Sequence, residues 1–372
     1  MTLDDIKIYT ETERGRRWLE KYQNRKPIFT CTFAFTATAS IEGISNAGNT
    51  PSSRRFTALA DAEFLAKGIQ PHPVFPLPPL SAGVSPTLIS RAVVEKWDLP
   101  LYLFNAGLPY PPSVSMIDLG GKTADCVSTG KALPLSVVEH LHQQGLKWGT
   151  ILAEKAFPHQ YLLLAECVVA GTTTALAVLT ALRIPAYGMV NSSHPVCNHQ
   201  QKWQIVCQGL SKTGGHLNTP LEIIAAVGDP MQVVVASIAL AASQKVGVML
   251  AGGTQMLAVF ALVKALAHHY DYPLPLDNII VATTRWVAED YTGNTVALAE
   301  NVGDVSLCAT QLDFTNSSWE CLRAYERGFV KEGVGAGGSA VAAHLLGVDK
   351  HQLRGMVEVM VSRFLLQTVS QC

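Results

Sequence analysis

Short apolar runs alternate with segments of helical period along most of the chain. From about residue 100 onward the runs fall at 101–104, 161–164, 204–206, 223–227, 247–250 and 278–281. Strands covered on both faces read as continuous apolar runs, and their alternation with helices predicts a mostly parallel sheet flanked by helices. Nearer the start, a charged segment predicts a polar helix. Residues 27–39, with Ile28, Phe29, Cys31, Phe33 and Phe35, then read as a strand leading into a glycine-rich turn at 43–48. The stretch 71–86 contains Pro76, Pro78 and Pro79, which a packed helix or central strand does not tolerate, so it predicts an extended connection. The expected fold class is α/β, a doubly wound, mostly parallel sheet flanked by helices, with a smaller second domain. Residues 1–85 form the smaller N-terminal region, which can pack with C-terminal helices in 315–372. Residues 86–314 form the α/β nucleotide-binding core, and 315–372 a helical segment carrying a glycine-rich loop. No internal repeat is visible.

Composition narrows the function classes. Hydrophobic residues are 48% and charged residues 15% of 372, so much apolar surface must be buried within a core or between subunits. Lysine plus arginine (28) nearly balance aspartate plus glutamate (29), which leaves no global field to draw the chain to nucleic acid or an anionic membrane and favours a small-molecule partner. The eight cysteines, Cys31, Cys126, Cys167, Cys197, Cys207, Cys308, Cys321 and Cys372, show no C-x-x-C spacing, as expected for a reducing cytoplasm. Residues 1–26 are charged and contain no apolar core of a signal peptide, so a cytoplasmic location is expected. The most apolar stretch, 161–182, carries Glu166 and a threonine run, which reads as strand, turn and helix rather than as a membrane span. A mean hydropathy of +0.21 and a small-residue helix at 232–242 lead to the expectation of a two-fold homodimer.

In doubly wound sheets, ligands bind where strand ends turn into helices. Four turns qualify: Gly120-Gly121-Lys122-Thr123, Gly171-Thr172-Thr173-Thr174, Gly228-Asp229-Pro230-Met231 and Gly252-Gly253-Thr254-Gln255. Each offers small residues that let backbone N–H groups approach an anion, and each can equally be an ordinary helix cap. Gly333 to Gly338 fits G-x-G-x-x-G, but the preceding residues look helical and no acidic residue follows about twenty positions on, so a dinucleotide site is rejected. Lys122-Thr123 resembles the end of a phosphate-binding P-loop, yet Met116 stands where its first glycine belongs. His194, Cys197 and His199 lie close together without a second ligand cluster, so no metal site is expected. Two carboxylates stand apart. Glu166 ends the apolar run 161–165, where an unpaired charge is costly, and Glu332 lies in the small-residue run Lys331-Glu332-Gly333-Val334-Gly335-Ala336-Gly337-Gly338, where Gly333 and Gly335 leave room for a flat ligand. Read alone, Glu332 can equally be a helix cap and Glu166 half of a buried ion pair.

These motifs occur together in one known family. Glu166 through Thr174 resembles the G-E-M-G-I-G-N-T-T segment of nicotinate-nucleotide:dimethylbenzimidazole phosphoribosyltransferases, with the glutamate and two threonines in register. Phe329 through Ala336 resembles that family's L-R-L-G-E-G-T-G-A segment. The stretch from Val227-Gly228-Asp229-Pro230 to Gly252-Gly253 is similar to the intervening part that ends in V-L-L-D-G-F. The N-terminal motifs around Glu42-Gly43-Ile44-Ser45 and Ala47-Gly48-Asn49 resemble a divergent archaeal and cyanobacterial branch. Gly171 replaces an asparagine, Ala170 a glycine and Ala251 an aspartate of the family pattern.

The resemblance implies transfer of the phosphoribosyl group of nicotinate mononucleotide to dimethylbenzimidazole or a related base, with adenine as an alternative acceptor. It implies Glu332 as proton acceptor and Glu166 as the carboxylate beside the developing ribosyl cation. Gly171, Thr172, Thr173, Thr174, Gly252, Gly253, Thr254, Gly228 and Asp229 would serve phosphate or nucleotide binding, with Lys122 as counter-charge. No cofactor is expected, because nicotinate leaves as a neutral ring nitrogen. A nucleotide-binding protein that kept the fold without the chemistry is the other expectation.

Overall fold

The structure is a computed structural model, and it describes residues 2–48, 50–80, 82–215 and 217–369. Cys372 and Asn49 lie outside these residues. Eight strands form one sheet: β1 (Ile6–Ile8), β2 (Ile28–Ala34), β3 (Leu101–Gly107), β4 (Ile117–Asp118), β5 (Leu162–Cys167), β6 (Val248–Ala251), β7 (Ile279–Thr284) and β8 (Ser306–Thr310). Their order is β1-β8-β7-β6-β5-β2-β3-β4, and only β1 runs antiparallel, against β8. The chain winds outward from β2 through β3 to β4, then crosses back and winds the other way from β5 to β8. The switch point therefore lies between β2 and β5, whose register sets Thr32 beside Glu166. A boundary at residue 85 cuts across this sheet, because β2 lies in its interior.

The helices are α1 (Thr12–Tyr22), α2 (Arg54–Lys67), α3 (Thr87–Trp97), α4 (Leu135–Ala156), α5 (Gly171–Ala181), α6 (His199–Ser211) and α7 (Pro220–Val227). There follow α8 (Pro230–Ala242), α9 (Thr254–His269), α10 (Arg285–Ala288), α11 (Thr295–Val302), α12 (Glu320–Glu326), α13 (Ala336–Leu345) and α14 (Lys350–Val369). Alternation along the strands divides the core in two. In β5, Leu162 and Leu164 join the cluster under α4, α5, α8 and α9, while Leu163, Ala165 and Cys167 face the cluster formed with α2, α3, α13 and α14. Strands filled on both faces in this way are the reason for the continuous apolar runs.

Two of those runs are helical. Residues 204–206 lie in α6, and 223–227 lie in α7, which starts at a capping box built by Thr219 and Glu222 with Pro220 at its first turn. The Gly120-Gly121-Lys122-Thr123 turn opens no helix. A side chain at Gly121 would strike the Ala106 carbonyl at 1.8 Å, and one at Gly107 the Lys122 carbonyl at 2.2 Å, so these glycines let two backbones run side by side. The small-residue helix α8 is internal: α4 crosses it closely where Gly145 and Gly149 meet Ser237 and Ile238. Its small residues pack the subunit's own core and present no face to a second copy. No helix among the described residues is long and apolar enough to cross a membrane.

Candidate active site

A pocket opens at the switch point, over the carboxyl ends of β5 and β6. Its floor is Glu166 to Thr172 with Gly253, Thr254 and Gln255; one wall is Ser45 to Ala47 with Asn191 to Ser193, and the other is Phe329 to Val334 with Asp61, Ser85 and Pro86. The two segments of the first wall are fastened together, since Ser193 Oγ accepts the Asn46 N–H at 2.8 Å.

Glu332 is fixed by four donors. Its Oε1 accepts the N–H groups of Gly337 at 3.0 Å and Gly333 at 3.2 Å, and its Oε2 accepts Thr283 Oγ1 at 3.0 Å and the Thr284 N–H at 3.1 Å. The donors come from the end of β7, from Gly333 in the loop itself and from the first turn of α13, so the carboxylate takes up part of that helix's cap and also lines the pocket. Burial raises its pKa, and the four hydrogen bonds hold the rise down. The neighbouring glycines serve mostly packing: side chains at Gly337 and Gly338 would strike β7 and Ala251, and one at Gly335 would strike Ala165 at 2.6 Å. Gly333 alone of these lines the pocket, against Pro86.

Glu166 is 5% exposed and has no cation partner among the described residues, so the ion-pair alternative does not hold. Its pKa is raised to about 8, by burial first and then by Asp229, Glu332 and Asp61, against the Val168 N–H donated to it at 3.0 Å. A protonated carboxyl is therefore the favoured form near neutral pH.

Several expected anion ligands are placed elsewhere. Asp229 caps α8 with Gln232, and its Oδ2 accepts Thr174 Oγ1 at 2.5 Å. Thr173 and Thr174 are fully buried beneath the pocket, and Gly252, Gly228 and Gly335 are not among its lining residues. Lys122 is exposed and is not among the pocket's lining residues. Glu166, Gly171, Thr172, Gly253, Thr254, Glu332 and Gly333 meet in one pocket. His199 Nε2 is bonded to the Thr292 carbonyl at 2.6 Å, and Cys197 packs on Asp290. Among the described residues no cluster of three or more histidine, cysteine or acidic groups is arranged for a metal.

Three polar groups were missed by sequence reasoning. Lys331 lines the pocket 4% exposed and pairs with Asp290 at 2.5 Å, which leaves two of its three N–H donors free. Lys202, buried in α6, holds the carbonyls of Val190 and Asn191, and burial lowers its pKa to about 8. Asp61 sits on α2 with its carboxyl at the pocket wall. The one available signal was a pair of acids, Asp61 and Glu63, within the mostly apolar stretch 57–65 of α2.

Two solved structures share this fold. The nicotinate-nucleotide-dimethylbenzimidazole phosphoribosyltransferase from Thermus thermophilus superposes with a TM-score of 0.58 at 17% identity, over 97% of this chain and 93% of that one. A structure described as CobT from Thermus thermophilus gives 0.60 at 16% identity, over 97% and 94%. The likeness is one of fold.

Within that architecture, the chain belongs to the UPF0284 family. It is 56% identical over 362 residues to the UPF0284 protein of Rippkaea orientalis (96% of this chain, 98% of the relative). It is also 58% identical over 340 residues to that of Microcystis aeruginosa (91% and 93%), and 52% identical over 363 residues to that of Synechocystis (97% and 98%). No profile of a known protein family matches the sequence.

Proposed function

We propose that the protein transfers the phosphoribosyl group of nicotinate mononucleotide to a benzimidazole-type or purine base, giving an α-nucleotide and nicotinate. The observation that carries this reading is Glu332, a carboxylate immobilised by four donors in the wall of the same pocket that holds Glu166. In the reaction, a ring nitrogen of the base forms the new bond to the anomeric carbon while the bond to the pyridinium nitrogen breaks, and its electron pair stays on nicotinate. The base's other ring N–H passes its proton to Glu332. Attack from the face opposite the leaving group inverts the anomeric centre. A positioned proton acceptor of this kind contributes about 10²–10⁴-fold.

A carboxylate has roughly four in-plane acceptor positions, and on Glu332 all four are taken by protein donors. The Thr283 hydroxyl is the one donor not fixed in the backbone, so its rotation opens the position that the base's N–H occupies. Binding a pyridinium cation near Glu166 favours the ionised form of that group, so negative charge develops where the ribosyl cation forms. Lys331, with the N-terminal amides of α5 at Thr172 and of α9 at Thr254, would take the 5′-phosphate, the Gly171 amide being held by the Val168 carbonyl.

The test is purified protein mixed with nicotinate mononucleotide and, in turn, dimethylbenzimidazole, benzimidazole or adenine, with nicotinate and α-nucleotide followed by chromatography. Base-dependent release is the expected result. Saturable mononucleotide binding without release for any base would replace this reading with a non-catalytic binding protein.

A further inference from the structure

Asp61 has one oxygen committed to structure and one turned to other use. Its Oδ1 accepts Ser85 Oγ at 3.0 Å and Thr87 Oγ1 at 2.7 Å, which ties α2 to the start of α3. Among the described residues its Oδ2 accepts only the Cys167 thiol, at 3.4 Å, a weak donor. The residue is 5% exposed, so water does little to complete Oδ2. A buried carboxylate oxygen short of donors is costly unless a ligand supplies them.

The group lies close to the proposed proton acceptor. Ser85, bonded to Asp61, precedes Pro86, whose ring fills the space where a Gly333 side chain would point, 2.8 Å from that Cβ position. Ser90 Oγ then donates to the Val334 carbonyl at 2.7 Å. Asp61 and Glu332 thus line one pocket linked through the Pro86–Gly333 contact, and its lining also includes the apolar Pro78, Leu80, Ala82, Val330 and Val334. Apolar walls with an acceptor at two points suit a planar heterocycle that donates N–H groups from two places on its edge.

Resting on the phosphoribosyl-transfer reading, we propose that Asp61 Oδ2 determines acceptor specificity by receiving an N–H of the incoming base, selecting an aminopurine such as adenine over a dimethylated benzimidazole. The methyl edge of dimethylbenzimidazole would bury Oδ2 against carbon, whereas an exocyclic amino group completes it. Sites that hydrogen-bond a substrate donor reject analogues lacking it far more strongly than apolar pockets reject a change of shape.

The experiment compares kcat/KM for adenine, unsubstituted purine, hypoxanthine and dimethylbenzimidazole in the wild-type protein and in Asp61→Asn, with direct binding of each base measured by titration calorimetry alongside. Wild type is expected to favour adenine over purine and over dimethylbenzimidazole by at least ~10-fold. Asp61→Asn keeps an oxygen for Ser85 and Thr87 and presents an N–H₂ at the position of Oδ2. It is expected to lower the adenine-to-hypoxanthine ratio by at least ~10-fold, because the carbonyl of hypoxanthine then finds a donor. Equal wild-type rates for adenine and purine would overturn the proposal whether or not the variant folds. So would an adenine-to-hypoxanthine ratio left unchanged in a folded Asp61→Asn. If no base supports nicotinate release, the transfer reading fails and the binding data decide the role of Asp61. Adenine affinity lost in Asp61→Asn upholds it, and affinity equal to wild type overturns it.

Discussion

The Glu332 loop and the Asp229 turn are alike in sequence and unlike in use. Each places an acidic residue beside a glycine just ahead of a helix, the pattern of an anion site. At Asp229 both carboxylate oxygens are satisfied from within, by the Gln232 N–H at 3.2 Å and Thr174 Oγ1 at 2.5 Å, and the residue is fully buried. At Glu332 the donors are also internal, yet the carboxylate lines a cavity. The difference lies in what precedes the helix. Helix α8 is entered directly from α7 beneath the sheet's end, whereas α13 is entered from a loop that crosses the switch point. An acid at a glycine turn therefore marks a helix start, and the cavity beside it decides whether it can do chemistry.

The sharpest way to break this comparison is to neutralise each acid. Glu332→Gln is expected to lower kcat/KM per folded molecule by about 10²–10⁴-fold, and to lower the thermal midpoint as well, because the amide N–H₂ faces a backbone N–H at either oxygen position. Asp229→Ala is expected to cost about 1–3 kcal/mol in denaturant unfolding, through the lost cap and the lost Thr174 hydrogen bond, while turnover per folded molecule stays close to wild type. The reverse pattern would exchange the roles assigned to the two residues.

Next in size is Lys331. Lys331→Met paired with Asp290→Asn, which avoids leaving a buried charge alone, should raise the KM for nicotinate mononucleotide by about 10–100-fold, in keeping with loss of a charged hydrogen bond. Lys122→Met should leave it within about 2-fold, consistent with exposed charges acting weakly. Steady-state kinetics on both variants checks this.

Glu166 gives a pH effect. Its pKa is raised from 4.5 to about 8, so its contribution to stability is fully present below pH 4.5 and is lost as pH rises through 8. Glu166→Gln should therefore be more stable than wild type at pH 9, by roughly 1–4 kcal/mol, and near parity at pH 5. Unfolding titrations at the two pH values measure it, and a gain that grows toward low pH would contradict the burial argument. The smallest effect is expected for Thr283→Val. Its hydroxyl helps hold the Glu332 pKa down, so its removal should move the ascending limb of kcat/KM upward in pH by about half a unit to one unit.

The sheet interior was legible because β5, β6 and β7 are continuous apolar runs. Strand β8, Ser306–Thr310, is equally buried but mixes serine, cysteine and threonine with two apolar residues and gives no such signal. The runs in α6 and α7 misled because a three- to five-residue apolar stretch has no readable period. Glu166 and Glu332 stood out as acids in apolar or glycine-rich surroundings. Asp61 and Lys331 did not, because what distinguishes them is long-range: Asp61 meets Cys167, 106 positions away, and Lys331 meets Asp290, 41 positions away.

The most direct measurement is a single-turnover reaction with nicotinate mononucleotide and base on excess protein, run for wild type, Glu332→Gln and Asp229→Asn, with α-nucleotide formation followed in time. Formation by wild type and Asp229→Asn at comparable rates, with Glu332→Gln slowed by about 10² or more, is expected. Equal rates for wild type and Glu332→Gln would remove Glu332 from the reaction and contradict the central claim.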